Sequence, residues 1–401
     1  MRSGGRTGKQ SATRILSIDT HAYYGVGASL TLPQLLAARQ LRHPSVVIDE
    51  ALMSQPAIQG LLHSWQEQGM RLSTCYPSRT TQEPDYDYLD QATEVFRSLD
   101  TDAVIGIGGG SAMDLAKGVA LLLRNPGPGI TYRGMNLVQN PGLPVVLIPT
   151  TAGSGSEVTQ TASFIDPATK TKLGINGRYV GAAFSVLDPA LLSSCPASVT
   201  VGSGLDALVH AIEAVTTKQA HTVSVLFGVE AVRLLLASLP AAVAHPDDLD
   251  ARADMLLGSH YAGIAMCNAG GGPASGISYP LGVHYRVPHG MAGGLLLPHV
   301  ISFNIAQGHY AGYARIYERL QVSNAASHRS DRAMAHVFEQ VFWDLYHRLG
   351  APKTFEQWGV GRGAVALLTD LTMAQRKANL DANPVPFKRK HVIALLQAVT
   401  R

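Results

Sequence analysis

The sequence predicts a two-part fold: an α/β N-terminal half built on a parallel sheet, then an all-helical C-terminal half. Three observations predict it. From about residue 15 to 190, short β-branched or apolar runs alternate with helical stretches and glycine-rich turns, the pattern of βαβ units. After Asp188-Pro189 the alternation stops, and residues 203–239, 249–267 and 333–349 carry helical spacing rich in Ala, Leu and Glu. A length of 401 residues leaves room for two domains of ordinary size, divided at 187–190 into 15–190 and 191–401.

Each element has its own signal. The first 14 residues, MRSGGRTGKQSATR, hold four basic residues, no acidic one and no apolar stretch, so they read as a mobile arm rather than a secretory signal. SVVID at 45–49 is a strand ending in a carboxylate, and AVIGIGGG at 103–110 is a strand running into a glycine turn with a helix at 112–123 behind it. VVLIPT at 145–150 is a third strand, opening into a loop of hydroxyls and glycines. NAASHRSDRA at 324–333 is polar throughout and reads as a surface loop.

Composition narrows the function. Hydrophobic residues make up 46% and charged residues 15%, ordinary globular usage that excludes general disorder. The net charge of +3, from 32 Lys+Arg against 29 Asp+Glu, creates no single-sign field, so neither nucleic acid nor an anionic membrane is an expected partner. No uninterrupted apolar run approaches the about 18 residues of a bilayer-spanning helix. Cys75, Cys195 and Cys267 are odd in number and lack CxxC spacing; they encode neither a disulfide framework nor a cysteine zinc site, and a reducing, cytoplasmic setting fits.

Two groups of residues carry chemistry. The turn Gly106-Ile107-Gly108-Gly109-Gly110-Ser111 closes a strand and opens a helix, aiming backbone N–H groups and the positive helix end at one point, where a diphosphate is the natural occupant. Thr150, Thr151 and Ser154 set hydroxyls in a second loop, suited to ribose, phosphate or amide groups, although alone they read as well as a Ser/Thr-rich turn. Asp49 ends an earlier strand, where a carboxylate accepts from ribose hydroxyls and repels a 2′-phosphate; that favours NAD over NADP, and a helix cap is the equal alternative. Asp206 and His210 stand four apart in a helical segment, so both leave one face and one ion can bridge them; a plain Asp–His hydrogen bond is the alternative. His289, between Pro288 and Gly290 on a predicted turn, completes a two-His, one-carboxylate set suited to Fe(II), Zn or Mn.

In this order the segments GGGSAMDLAK (108–117), IPTTAGSGSEVT (148–159), DPALLSSCP (188–196), GLDALVHAIEA (204–214) and YPLGVHYRVPHG (279–290) resemble the iron-containing (group III) alcohol dehydrogenase family, and the resemblance runs over about residues 15–400. It implies a dehydroquinate synthase-like architecture, a dinucleotide-binding α/β domain followed by a helical metal-binding domain. It implies that Gly108, Gly109, Gly110, Ser111, Thr150, Thr151 and Ser154 contact NAD(P), with Asp114 and Lys172 nearby, and that Asp206, His210 and His289 hold a divalent metal, Fe(II) or Zn. The implied reaction is hydride transfer between nicotinamide and a small primary alcohol or aldehyde, with the metal polarising the oxygen. Homodimers are common among such relatives.

The sequence departs from the family pattern in two places. Ser275 stands where a further metal-ligating His is usual, which reduces four protein ligands to three; the related zinc glycerol dehydrogenases manage with three, though a different three. Tyr279 stands where a second, non-ligating His is usual. His284, two residues past Gly282, is the candidate proton relay, and Arg286, three residues before His289, is the candidate partner for an anionic substrate, with a solvent-exposed or dimer-contact arginine as the equal alternative. The SYPL and PHG wording resembles the branch that reduces phosphonoacetaldehyde, while NPG, YRGMNL and KLGIN resemble the branch that oxidises an eight-carbon sugar acid. Two rival expectations stand beside this one: a degenerate relative that binds NAD(H) without metal-dependent turnover, motivated by Ser275, and a dehydroquinate synthase-like cyclase. Against the cyclase, the VDSSVGGK-like segment of those enzymes is replaced here by AGSGSEVTQTASFID after Thr151.

Overall fold

The structure, a computed structural model, describes residues 16–79, 83–320 and 330–401; the arm at 1–14 and residues 324–329 of the predicted polar loop lie outside the described residues. Strand and helix alternate first: β1 (His21–Tyr24), α1 (Leu32–Ala37), β2 (Pro44–Asp49), α2 (Pro56–Glu67), β3 (Cys75–Ser78), α3 (Tyr86–Arg97), β4 (Ala103–Gly108) and α4 (Gly110–Leu122). There follow β5 (Gly134–Met135), β6 (Val145–Pro149), β7 (Thr161–Ala162), β8 (Ile165–Asp166), β9 (Thr171–Lys172), β10 (Ile175–Asn176) and β11 (Phe184–Leu187). The longer strands form one all-parallel sheet in the order β1-β11-β6-β4-β2-β3.

Both faces of this sheet are buried, which explains its unbroken apolar runs. Val46, Ile48, Ile105, Ile107, Val146 and Ile148 pack on one face with Trp65 and Leu61 of α2, while their neighbours Val47, Val104, Val145 and Leu147 pack on the other with α3 and α4. Strand order reverses between β2 and β4, because the chain steps outward to β3 and then returns to the far side of β2. Asp49 and Gly108 therefore end adjacent strands, in register at Ile48 and Ile107, beside the crevice where open α/β sheets take their ligands.

The second half contains α5 (Ala197–Thr216), α6 (Thr222–Ala244), α7 (Leu249–Ala269), α8 (Pro273–Tyr285), α9 (His289–Ala306), α10 (Ala311–Leu320), α11 (Asp331–Arg348), α12 (Val365–Gln375), α13 (Lys377–Ala382) and α14 (Arg389–Val399). Among the described residues no strand follows Leu187. These helices share one apolar core, with Leu205, Leu208 and Ile212 of α5 packed among Leu235, Met255, Leu281 and Leu296.

Four local expectations need correction. The helix expected at 112–123 begins at Gly110, since an uncapped glycine turn forms its first turn. The helical stretch expected at 203–239 is two helices, broken where Thr217 is extended and its hydroxyl donates to the Ala382 carbonyl; no Pro or Gly in TTKQAH signals the break. His289 is not on a turn but is the first residue of α9, after Pro288 as N-cap. Residues 331–333 of the predicted polar loop open α11, with the Ser330 hydroxyl accepting from the Ala333 N–H. One described helix, Thr222–Ala244, is long and apolar enough to cross a membrane by length and composition, although it carries Glu230 and Arg233 and packs against α5 and α7 in the helical core.

Candidate metal centre and cofactor cleft

Helix α5 is apolar around most of its circumference and therefore central, so its buried polar residues need partners. Asp206 and His210, one turn apart, face the start of α9. The approach is tight: a Cβ on Gly290 would lie 2.2 Å from the Gly202 carbonyl oxygen and 2.7 Å from Asp206 Cβ, so glycine alone lets α9 begin here. His289 is thereby set against Asp206. Nε2 of His210 and of His289 lie 3.7 and 3.9 Å from Asp206 Oδ1, and the three donor atoms lie within 4.8 Å of one another. These spacings exceed hydrogen bonds and suit donors that converge on one ion about 2 Å from each.

The His289 ring is held in the matching tautomer. The Ser278 hydroxyl donates to the Ser275 carbonyl at 2.6 Å, so its oxygen is left to accept from His289 Nδ1–H at 3.1 Å. That places the ring proton on Nδ1 and leaves a lone pair on Nε2, facing the cluster. Burial, reinforced by Lys172, His210 and Arg376, pushes the imidazole pKa down to about 3 against the pull of Asp206, so the ring stays neutral. Nδ1 of His210 is buried and has no hydrogen-bond partner among the described residues.

The Ser275 hydroxyl is committed to another carboxylate. It donates to Glu213 at 2.6 Å, and the same carboxylate accepts from the N–H groups of Gly272 and Ala274 at 2.6 and 2.7 Å, capping α8. Burial pushes Glu213 up, although these four hydrogen bonds, counting the longer one from the Ser275 N–H, pull it down. The donors that could hold a metal ion here are therefore Asp206, His210 and His289.

On the sheet side, Gly108 has φ of 146°, and a Cβ there would meet Asp49 Cβ at 3.0 Å and Ala112 Cβ at 2.9 Å. No side chain caps α4, leaving its first N–H groups to a ligand, as a dinucleotide diphosphate requires. Thr151 and Ser154 stand opposite Gly109 and Gly110, whose added Cβ atoms would fall 3.4 Å from Thr151 Oγ1 and 2.9 Å from Ser154 Oγ. The Thr150 N–H donates to the Gly108 carbonyl at 3.0 Å, tying the two loops together, and Ser111 lies in the first turn of α4. Asp49 caps the turn at Glu50–Leu52 through the Ala51 N–H, so the capping alternative is realised at the same crevice. Asp114 accepts from the Ser156 hydroxyl at 2.6 Å and the Ser163 N–H at 2.9 Å; it positions the loop from behind.

A third group was not legible as a group. Lys172 on β9 pairs with Glu83 at 2.5 Å, and although burial opposes its charge, Glu83 and Tyr279 raise its pKa. The Tyr279 ring meets the His289 ring edge-on at 4.9 Å and carries the Arg376 guanidinium 3.6 Å from its centroid. Arg376 lies 87 residues beyond His289 in sequence, at the α12–α13 junction, where no local pattern announces it. Ser278 opens the SYPL segment (278–281), where nothing in the sequence marks it as a partner of His289. Of the two remaining candidates, His284 is turned to the Lys170 backbone, with Nε2 buried and unpaired among the described residues, and Arg286 is exposed as the left-handed C-cap of α8 with φ of 56°. Neither contacts the cluster in the described structure, because the end of α8 carries both past it.

Comparison with known proteins matches almost the whole chain. Residues 19–189 match the family model for iron-containing alcohol dehydrogenase, and residues 200–400 match that for the Fe-containing alcohol dehydrogenase family, C-terminal. The NAD-dependent methanol dehydrogenase of Bacillus methanolicus is 35% identical over 286 residues, 70% of this chain and 73% of that one. The sulfoacetaldehyde reductase of Bilophila wadsworthia is 33% identical over 316 residues, 79% of this chain and 81% of that one. The crystal structure of 1,3-propanediol oxidoreductase superposes with a TM-score of 0.89 at 27% identity, covering 96% of this chain and 99% of that one.

Proposed function

Since the chain belongs to the iron-containing alcohol dehydrogenase family, we propose that it is a metal-dependent dehydrogenase interconverting a small aldehyde, anionic by preference, and its primary alcohol. It is an NAD-dependent oxidoreductase acting on CH–OH groups. The observation that carries the proposal is the convergence of Asp206, His210 and His289 on one point at the junction of the helical core and the glycine cleft. Three buried donors of this chemistry, one in a fixed tautomer, fit Fe(II) or Zn. The preference for an anion is supported by the likeness to a sulfoacetaldehyde reductase, whose named substrate carries a sulfonate.

In this account the metal supplies Lewis acidity to the substrate oxygen and the nicotinamide carries the hydride. The chain does the rest by position. Asp206, His210 and His289 hold the ion; Ser278 keeps His289 Nε2 unprotonated; Asp206 balances cationic charge at the centre. The α4 N-terminus with Gly108, Gly109, Gly110 and Ser111 receives the diphosphate, Asp49 faces the adenosine side, and Thr150, Thr151 and Ser154 line the opposite wall. Lys172 reaches between cofactor and cluster with its charge maintained by Glu83.

Asp206→Ala and His289→Ala test this directly: each is expected to abolish aldehyde reduction while NADH binding, measured by fluorescence titration, stays near wild type. Equal loss of NADH binding would overturn the assignment of separate metal and cofactor sites. The engagement of Ser275 by Glu213 favours a second reading, a nucleotide-binding relative that retains no metal, and metal content after purification separates the two.

A further inference from the structure

Three cationic side chains crowd the Tyr279 side of the cluster, and two are neutralised. Arg133 donates to Asp166 at 2.9 Å, and Lys172 pairs with Glu83 at 2.5 Å. Arg376 has no such partner. Its Nη2 donates to the Lys172 carbonyl, its Cζ lies 3.6 Å from the Tyr279 ring centroid, and its Nε is buried with no hydrogen bond to the described residues. No carboxylate of the described residues pairs with it, and the segments outside them contain no Asp or Glu. Burial and the nearby Arg133 both work against its charge.

A half-buried guanidinium without a counter-ion is costly unless something supplies the charge. The neighbours show what would. Lys172 Nζ, already paired with Glu83, stands 5.4 Å from the same ring, so Arg376 is the cation at Tyr279 without a carboxylate among the described residues, and Tyr279 itself meets the His289 ring edge-on. An anion placed there is one aromatic ring away from the point where the reacting oxygen would sit. Because a planar guanidinium grips carboxylates, phosphonates and sulfonates through paired N–H donors, the arrangement selects a class of substrate.

We propose that Arg376, held on Tyr279, is the specificity-determining residue that receives the oxyanion of a short-chain aldehyde. This rests on the dehydrogenase reading above and assigns the anion to Arg376 instead of the exposed Arg286. The site needs no second metal and no covalent step; it positions the substrate so that its carbonyl faces the cluster.

The test compares kcat/KM for propionaldehyde with that for two-carbon aldehydes bearing a carboxylate, a phosphonate or a sulfonate. Wild type is expected to favour at least one anionic aldehyde, and Arg376→Ala to reduce the anionic-to-neutral ratio about 10- to 100-fold, mostly through KM. Arg376→Lys is expected to retain part of the preference and also serves if the alanine variant does not fold. Arg286→Ala is expected to leave the ratio where it is. Turnover of every aldehyde without preference for an anion, or a preference that Arg376→Ala does not move, overturns the proposal while leaving the dehydrogenase reading intact. If no aldehyde turns over, calorimetry with methylphosphonate decides: binding that Arg376→Ala removes supports the anion site, and absence of binding to wild type overturns it.

Discussion

Ser278→Ala removes one oxygen atom and probes the whole construction of the metal centre. The hydroxyl is fully buried, donates to the Ser275 carbonyl at 2.6 Å and accepts from His289 Nδ1 at 3.1 Å. Without it, a buried N–H loses its acceptor, at a cost of about 1–3 kcal/mol, and the ring is free to place its proton on Nε2, where it blocks ligation. Loss of such an outer partner typically weakens metal binding about 10- to 100-fold. The assay is a competition titration of Zn(II) against a chelating indicator, run on metal-stripped wild type and variant, with NADH affinity as the control for folding. Metal affinity is expected to fall within that range while NADH affinity holds. An unchanged metal affinity in a folded variant would refute the role given to Ser278 and weaken the case for His289 as a ligand.

Other substitutions probe neighbouring features. Ser275→His, which offers an imidazole at the position now committed to Glu213, is expected to tighten metal binding in the same titration, but with a lower melting temperature because the Glu213 cap loses a buried donor. Gly290→Ala should destabilise the protein by about 3 kcal/mol in chemical denaturation, since the new methyl would press on backbone oxygen at 2.2 Å and α9 cannot retreat without moving His289. For pH, His289 is neutral when folded down to about pH 3, whereas the unfolded chain takes up its proton near the ordinary histidine value of about 6.5. Stability of the metal-free protein is therefore complete above about pH 6.5 and falls as pH drops toward 3, by at most about 1.4 kcal/mol per pH unit from this residue. His289→Gln should flatten that slope in denaturant titrations at pH 7, 6 and 5; an unchanged slope would contradict the buried neutral ring.

The fold was legible because its signals are local. A parallel sheet buried on both faces writes itself as runs such as SVVID and VVLIP, and the glycine turn follows directly from one of them. Asp206 and His210 were legible for the same reason, since four residues on a helix fix a shared face. The approach of His289 was suggested only by its motif, because what brings it in is the contact of Gly290 with Gly202, nearly 90 residues away. Arg376 and Glu83 carried no signal: each acquires its role from Lys172 or Tyr279, which tertiary packing alone places beside them. Conversely, His284 drew notice two residues past Gly282 and Arg286 three residues before His289, but α8 ends between them and the left-handed Arg286 turns the chain before His289 begins α9.

The most direct test of the central claim is NADH oxidation by metal-stripped protein with Fe(II), Zn(II) or nothing added back, across neutral and anionic aldehydes. The account predicts turnover that returns with metal and is absent without it. Equal turnover in the metal-free protein, or bound NADH that no metal renders reactive toward any aldehyde, would contradict it.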